Sequence, residues 1–227
     1  MNEPASNPTR ARLLRAAQAL CLALDEAAAA QLQAHLVMLQ RWNRVYNLTA
    51  VRDPQEMLAH PVLDCLAVLP PLRGYAAGRS LRVLDVGSGG GLPGAVIAIM
   101  QPEWQVCTID AVAKKASFVR QVAAEVPVRN LRAPHGRVEA LDPAQAPGGS
   151  GYDLIVSRAF ASLADFVTLT RHLLAPGGVW LAMKGRAPDD EVAALPADVT
   201  VFHVEQLRVP ELAAQRCLVW LRPHARA

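Results

Sequence analysis

The sequence predicts an α/β fold: a mostly parallel sheet with helices on both faces, ending in an antiparallel hairpin and preceded by a helical N-terminal region. Three observations predict it. In the first 70 residues apolar side chains recur at three- and four-residue steps, whereas from Leu81 onward short apolar runs alternate with helix-length patterns. A turn carrying Gly87, Gly89, Gly90, Gly91 and Gly94 joins the first of those runs to its helix. The last two strand-like runs have no helix-length pattern between them, so they pair directly with each other.

Each element has its own warrant. Leu32, Leu36, Leu39, Trp42 and Tyr46 form one stripe on a helix from about Asp25 to Val45, and Asp25 with Glu26 suits its N-terminus. A weaker pattern covers Arg10 to Leu24. A further helix is expected from Pro54 to Leu69, with Asp53 as its cap. Pro70 to Ser80 contains two prolines and two glycines; residues 71–80 therefore read as a linker between a helical region, 1–70, and a sheet domain, 81–227. Strands are expected at Leu81 to Val86, Trp104 to Ile109, Val128 to Ala133, Tyr152 to Ser157, Val179 to Met183, Val199 to Leu207 and Cys217 to Leu221. Helices fall at Leu92 to Met100, Ala113 to Glu125 and Leu163 to Leu174, with a loop at Ala144 to Gly151 and a tight turn at Pro176-Gly177-Gly178.

Composition narrows the class. At 227 residues and 52% hydrophobic, the chain can bury one sizeable core with a modest appendage. Lysine occurs only at 114, 115 and 184, so arginine, whose planar fork suits phosphates and guanine edges, carries most of the positive charge. A net charge of +3 permits nucleic-acid binding without requiring it. Cys21, Cys65, Cys107 and Cys217 form no Cys-x-x-Cys pair, and the histidines show no His-x-x-x-His spacing, so no metal site is expected. The polar N-terminus lacks an apolar leader and no run approaches a membrane span, so a cytoplasmic chain is expected, with no membrane contact and no obligate protein partner.

The strongest signal runs from Asp85 through Gly87-Ser88-Gly89-Gly90-Gly91-Leu92-Pro93 to Gly94, leaving a strand and opening a helix. Glycines let the backbone turn sharply and approach a ligand whose anionic groups face helix amides. Gly89, Gly91 and Gly94 satisfy the spacing of a dinucleotide loop. Asp85 favours another ligand: a carboxylate there suits a cofactor with a positive amino group and would repel a pyrophosphate. Pro93 also removes an amide that a pyrophosphate could use. Asp110, ending the second strand, can accept both hydroxyls of a ribose and serves either ligand. The terminal hairpin is foreign to nicotinamide-binding Rossmann domains and suits a methyltransferase. S-adenosylmethionine is therefore the expected cofactor, on a Rossmann-like class I methyltransferase sheet.

The acceptor is approached by exclusion. Methylation of cytosine C5 needs a cysteine nucleophile, usually in Pro-Cys, and none occurs. Exocyclic amines usually require Asn-Pro-Pro-Tyr after the fourth strand, where this chain has Ser157-Arg158-Ala159-Phe160. Guanine N7 has a free lone pair and no proton to lose, so it needs neither. Arg158 stands at the carboxyl edge of the sheet and is expected to touch a phosphate, the guanine O6 or the cofactor carboxylate. Its bland alternative is an ion pair with Asp153 or Asp165. Arg137 follows the third strand and is either functional or a surface residue. Glu139 can accept hydrogen bonds from an adenosine, Lys184 and Arg216 add cations along the same edge, and Phe160 either stacks on the base or joins the core. Lys114 and Lys115 open a helix, where its dipole does not favour cations.

These residues together resemble the bacterial glucose-inhibited division protein B family, the small-subunit 16S ribosomal RNA guanine-N7 methyltransferases. The resemblance runs from about Trp42 to Leu221. It includes Trp42-Asn43, Tyr46-Asn47-Leu48-Thr49, His60 with Leu63-Asp64, the loop ending Leu92-Pro93-Gly94, Asp110, Lys114-Lys115, Arg137-Val138-Glu139, Ser157-Arg158-Ala159-Phe160, Lys184-Gly185 and Arg216. It implies methylation of a guanine N7 near the decoding centre, with 16S RNA or the small subunit as partner. It implies that Gly87, Leu92, Val138, Glu139 and Arg158 line the cofactor pocket, and that Arg137, Arg158, Lys184 and Arg216 face cofactor or RNA. Pro61 departs from the aliphatic residue usual after His60 and is expected to shift the start of that helix. Three other readings stay open on the residues alone: a methyltransferase for another RNA or a small molecule, a nicotinamide-dependent oxidoreductase, and a non-catalytic ribosome assembly factor.

Overall fold

The computed structural model describes residues 8–49, 51, 56, 61–158, 160 and 162–224. Its centre is a seven-stranded sheet: β1 Arg82–Val86, β2 Gln105–Ile109, β3 Leu131–Arg132, β4 Tyr152–Arg158, β5 Leu174–Lys184, β6 Val199–Leu207 and β7 Arg216–Pro223, in the order β3-β2-β1-β4-β5-β7-β6. The first five strands pair in parallel, and β7 inserts antiparallel between β5 and β6. The expected sheet and its closing hairpin are therefore both present. Strand order reverses between β1 and β4, which opens a crevice at their carboxyl ends where ligands bind in such sheets.

Alternation along the strands builds two cores. Val83, Val106, Leu154, Val156 and Leu181 face one layer, whereas Leu84, Val86, Ile109, Ile155 and Trp180 face the other. The first layer contains the N-terminal helices α1 (Pro8–Ala19) and α2 (Glu26–Tyr46), the short α3 (Leu63–Ala67) and α4 (Leu69–Ala76), then α5 (Gly94–Met100) and α6 (Ala113–Glu125). The second holds α7 (Leu163–Thr170), with α8 (Asp189–Ala193) beside it. Asp25 caps α2 as expected, its carboxylate accepting from the Ala28 amide at 2.7 Å. The apolar stripe of α2 buries Leu32, Leu36 and Leu39 in the same cluster as the sheet.

Several boundaries differ from the expectation, each for a local reason. The stretch read as a linker is helical from Leu69 to Ala76; its prolines occupy the first turn, where no amide is missed, and Leu72 and Ala76 are buried. The proposed cap Asp53 and the helix start at Pro54 lie outside the described residues, as does His60, and α3 begins beyond Pro61, at Leu63. The third strand shrinks to Leu131–Arg132 because Asn130 turns its side-chain amide onto the carbonyls of Ala98, Gln101 and Trp104, 2.9–3.1 Å away. The helix after β4 ends at Thr170 rather than Leu174, and a single 3-10 turn leads into β5. That strand is longer than expected because Pro176-Gly177-Gly178 forms a bulge inside it instead of a turn before it.

Candidate active site at the carboxyl edge of the sheet

The glycine loop is folded by what lies beneath it. Asp85, one residue before the end of β1, is fully buried, and its Oδ2 accepts from the Gly94 amide at 2.8 Å, capping the following helix from within. A pyrophosphate would need that amide, so the capped loop disfavours a dinucleotide. From the other side the neutral ring of His35, on α2, donates from Nε2 to the Gly90 carbonyl at 2.9 Å; burial holds its pKa below the usual value. Gly87, Gly89 and Gly91 take positive φ, which an L side chain adopts only under strain.

Two cavities meet at Gly87. The larger, of about 710 Å³, lies over the carboxyl ends of β1, β4, β5 and β7. Its wall includes Ser88, Gly89, Leu92, Lys115, Arg158, Lys184, Arg216 and Asp64. The smaller, of about 210 Å³, is lined by Ile109, Asp110, Arg137, Val138, Glu139 and Phe160. Every candidate residue except Asp85 and Gly91 thus stands on one wall or the other. Gly91 instead packs against α6, where an added Cβ would lie 3.3 Å from Val119 Cγ2.

The cations are not equivalent. Lys184 Nζ is held by both oxygens of Glu191 at 2.9 and 2.8 Å, and Glu191 also accepts from the Leu163 amide that opens α7. Arg216 Nε donates to both oxygens of Asp64 at 3.0 Å. Arg158 has no ion-pair partner among the described residues. The bland alternatives for it fail: Asp153 is bound by Arg82 at 2.6 to 2.9 Å, and the Asp165 carboxylate accepts from Ser162 Oγ. Ser157 Oγ donates to the Val86 carbonyl at 2.9 Å, which fixes Arg158 beside the glycine loop. Arg137 is 79% exposed and only 3.9 Å from Glu139, so at rest it is a surface cation on the rim of the smaller cavity. Phe160 lies in that smaller cavity, its ring 5.5 Å from Phe166; it joins the second core and flanks Val138 rather than facing Arg158. Lys114 sits 5.7 Å over the Tyr46 ring, whereas Lys115 reaches the large cavity and approaches Asp110 to 4.0 Å.

Asp110 does more than expected of it. Its Oδ2 accepts from the Gly89 amide at 3.0 Å and its Oδ1 from Val112 at 2.8 Å, so it shapes the loop as well as facing the smaller cavity. Leu48, Thr49 and Val51 also reach the large cavity, and a buried side chain sets their path: Asn43 donates to the Val51 carbonyl and accepts from the Thr49 amide at 2.9 and 2.8 Å. The residues that sequence reasoning missed are Glu191 and Ser88. An acidic Asp-Asp-Glu run close after Lys184 was the available signal for the first.

Burial raises Asp85 to about 7, against the pull of the Gly94 amide and Arg158 and with the help of Asp110. The folded chain thus keeps a proton on Asp85 that the unfolded chain has lost. This contribution to stability is complete below the ordinary carboxylate range and is lost as pH rises to about 7. Asp85→Asn should abolish it. Unfolding free energies of both proteins, measured from about pH 4 to about pH 8, should converge in slope only above pH 7. Parallel slopes throughout would mean that Asp85 is ionised in the folded state. Burial also raises Cys65, Cys107 and Cys217, so the Cys217 thiol on the cavity wall stays protonated. No group of three or more histidine, cysteine or acidic side chains able to hold a metal occurs among the described residues.

Among solved structures, the O-methyltransferase TomG from Streptomyces achromogenes, determined in complex with SAM, is 19% identical over 99% of this chain and 100% of its own, with a TM-score of 0.54. A SAM-dependent methyltransferase from Aquifex aeolicus is 16% identical over 73% of this chain and 95% of its own, with a TM-score of 0.55. At such identities they establish the fold alone. Proteins named ribosomal RNA small subunit methyltransferase G are far more similar. That of Leptothrix cholodnii is 56% identical over 96% of this chain and 97% of its own length, and that of Acidovorax ebreus 55% over 97% and 98%. The model of the family GidB, rRNA small subunit methyltransferase G, matches residues 28–219, and the chain belongs to that family.

Proposed function

We propose that this chain transfers a methyl group from S-adenosylmethionine to N7 of one guanine in 16S ribosomal RNA, near the decoding centre. The family makes it a SAM-dependent ribosomal RNA methyltransferase; the guanine, its N7 and its location are the finer reading. The observation that carries the reading is the pair of cavities joined at Gly87, one flanked by apolar side chains with two acids, the other rimmed by four cations.

The residues fit the cofactor. Ser88 Oγ on the wall of the larger cavity and Asp85 Oδ1 beneath the glycine loop are buried with no hydrogen-bond partner among the described residues, a need that an amino-acid headgroup satisfies. An added Cβ at Gly87 would meet nothing within 4 Å, so the backbone leaves room there. When bound, the cofactor supplies a methyl group made electrophilic by its sulfonium. Asp110 and Glu139 accept hydrogen bonds from the adenosine, and Val138 and Phe160 enclose its base. Arg158, Lys184 and Arg216 hold the RNA or the cofactor carboxylate, and Arg137 extends this positive rim. No general base is required, because N7 releases no proton, and the chain's work is alignment. No helix among the described residues is long and apolar enough to cross a membrane.

The test uses small subunits from cells lacking this protein, incubated with it and methyl-labelled cofactor, with the RNA then cleaved chemically at 7-methylguanine. Label at a single cleavable guanine is expected. Label that resists cleavage would discard N7, and label absent from subunits and naked RNA alike would move the substrate elsewhere.

A further inference from the structure

We propose that Asp64 reads the Watson–Crick edge of the target guanine and offsets the charge that methylation leaves on its ring. This rests on the reading of guanine N7 as the acceptor. Among the described residues, Asp64 is the one acidic side chain lining the large cavity, whose other charged groups are Lys115, Arg158, Lys184 and Arg216. It is 6% exposed, and the grip of Arg216 Nε at 3.0 Å on each oxygen fixes the plane of its carboxylate. The two oxygens together can accept about four hydrogen bonds.

Guanine is the base whose Watson–Crick edge carries two adjacent donors, N1–H and the 2-amino group. Adenine and cytosine place an acceptor beside their donor, and uracil flanks its donor with acceptors. A fixed carboxylate therefore attracts guanine and repels the other three, the edge-on reading by which unstacked bases are told apart. The reaction supplies the second argument. Methylation of N7 consumes its lone pair, releases no proton, and leaves on the ring the positive charge that the methyl donor loses. Four cations around the cavity oppose that charge, and Asp64 is the wall group of opposite sign. An interaction that strengthens as the ring becomes positive stabilises the transition state more than the bound substrate.

The test is a cycle of two enzymes and two substrates. Small subunits are reconstituted with the target guanine or with inosine there, which keeps N7 and N1–H but lacks the 2-amino group. Methyl transfer and filter-binding affinity are measured for wild type and Asp64→Asn. Wild type is expected to lose about 10- to 100-fold in kcat/KM on inosine, the worth of one hydrogen bond to a charged acceptor. Asp64→Asn should be slow on guanine and separate the two substrates by less than about 3-fold. Asp64→Glu, which keeps the carboxylate, should recover part of the discrimination, and cofactor affinity by calorimetry reports whether both variants are folded. Equal inosine penalties in wild type and Asp64→Asn overturn the proposal and leave Asp64 as a support for Arg216. If neither variant folds, absence of a wild-type penalty on inosine overturns it equally. A wild-type enzyme that forms no 7-methylguanine on unmodified subunits overturns instead the reading on which the proposal rests.

Discussion

Replacing Arg158 with alanine is expected to slow methyl transfer by about 10²- to 10³-fold, the usual cost of removing one preorganised donor from an active site. Stability should hardly change. Arg158 has no carboxylate partner among the described residues, so its loss strands no buried charge, and the melting temperature should stay within about 2 °C of wild type. The same change at Lys184 or Arg216 is a poorer experiment, because Glu191 or the buried Asp64 would lose the cation that grips both its oxygens and the loss of activity would mix with a loss of fold. Arg158 also acts on the loop: its charge is one of the influences that lower Asp85 against the effect of burial, so the variant should hold Asp85 protonated to higher pH and weaken the cofactor's ammonium contact. Arg158→Lys keeps the charge without the planar fork and should recover the cofactor affinity more fully than the rate. Single-turnover rates and calorimetric cofactor affinities for both variants provide the check. A rate for Arg158→Ala within about 3-fold of wild type would remove Arg158 from the chemistry.

What could be read in the sequence follows from how local its cause is. Asp25 caps α2 three residues away, and the glycine loop is legible because the turn itself demands positive φ at Gly87, Gly89 and Gly91, although the partners that hold it, His35 and Asp110, lie 55 and 21 positions off. Parallel pairing and the closing hairpin were legible because they depend on pattern alone. The third strand is present but shorter than its pattern, because Asn130 reaches carbonyls 26 to 32 positions earlier, which no propensity records. The same limit governs the site. Arg158, Lys184 and Arg216 were identifiable by their positions at strand ends. That Arg216 is held by Asp64, 152 residues earlier, and Lys184 by Glu191 exists only once β7 lies against β5 and α3 packs beneath the cavity. The sequence thus named the cations but not their states of pairing, and the pairing decides which of them is free to meet an anion. For Phe160 the motif left two places open, the base or the core, and the path of the chain after β4, which sets its ring 5.5 Å from Phe166, favours the core.

The glycines make a graded prediction, with Gly94→Ala the most damaging. A Cβ at Gly94 would lie 2.6 Å from Thr108 Cγ2, 2.8 Å from Asp85 Oδ2 and 3.0 Å from Asp85 Cβ, all on buried strand residues that cannot withdraw. Relief requires α5 to move off the sheet, which also stretches the Gly94 amide away from the carboxylate it caps. Overpacking and the lost hydrogen bond together should cost about 2–4 kcal/mol. For a chain of this size that lowers the melting temperature by roughly 5–15 °C, and the displaced loop should weaken cofactor binding by about 100-fold. Gly90→Ala makes an equally short contact, 2.6 Å, but with the tip of Leu39, which can rotate away, so its cost should be smaller. Gly87→Ala meets nothing within 4 Å and suffers only from its φ of +70°, a strain of about 1–2 kcal/mol. Thermal unfolding of the three variants ranks them directly. The ranking depends on Gly94 being a point of helix–sheet contact rather than merely a loop residue; a Gly94→Ala protein that melts like wild type, or better than Gly87→Ala, would show that the helix is free to shift and that Asp85 does not anchor it.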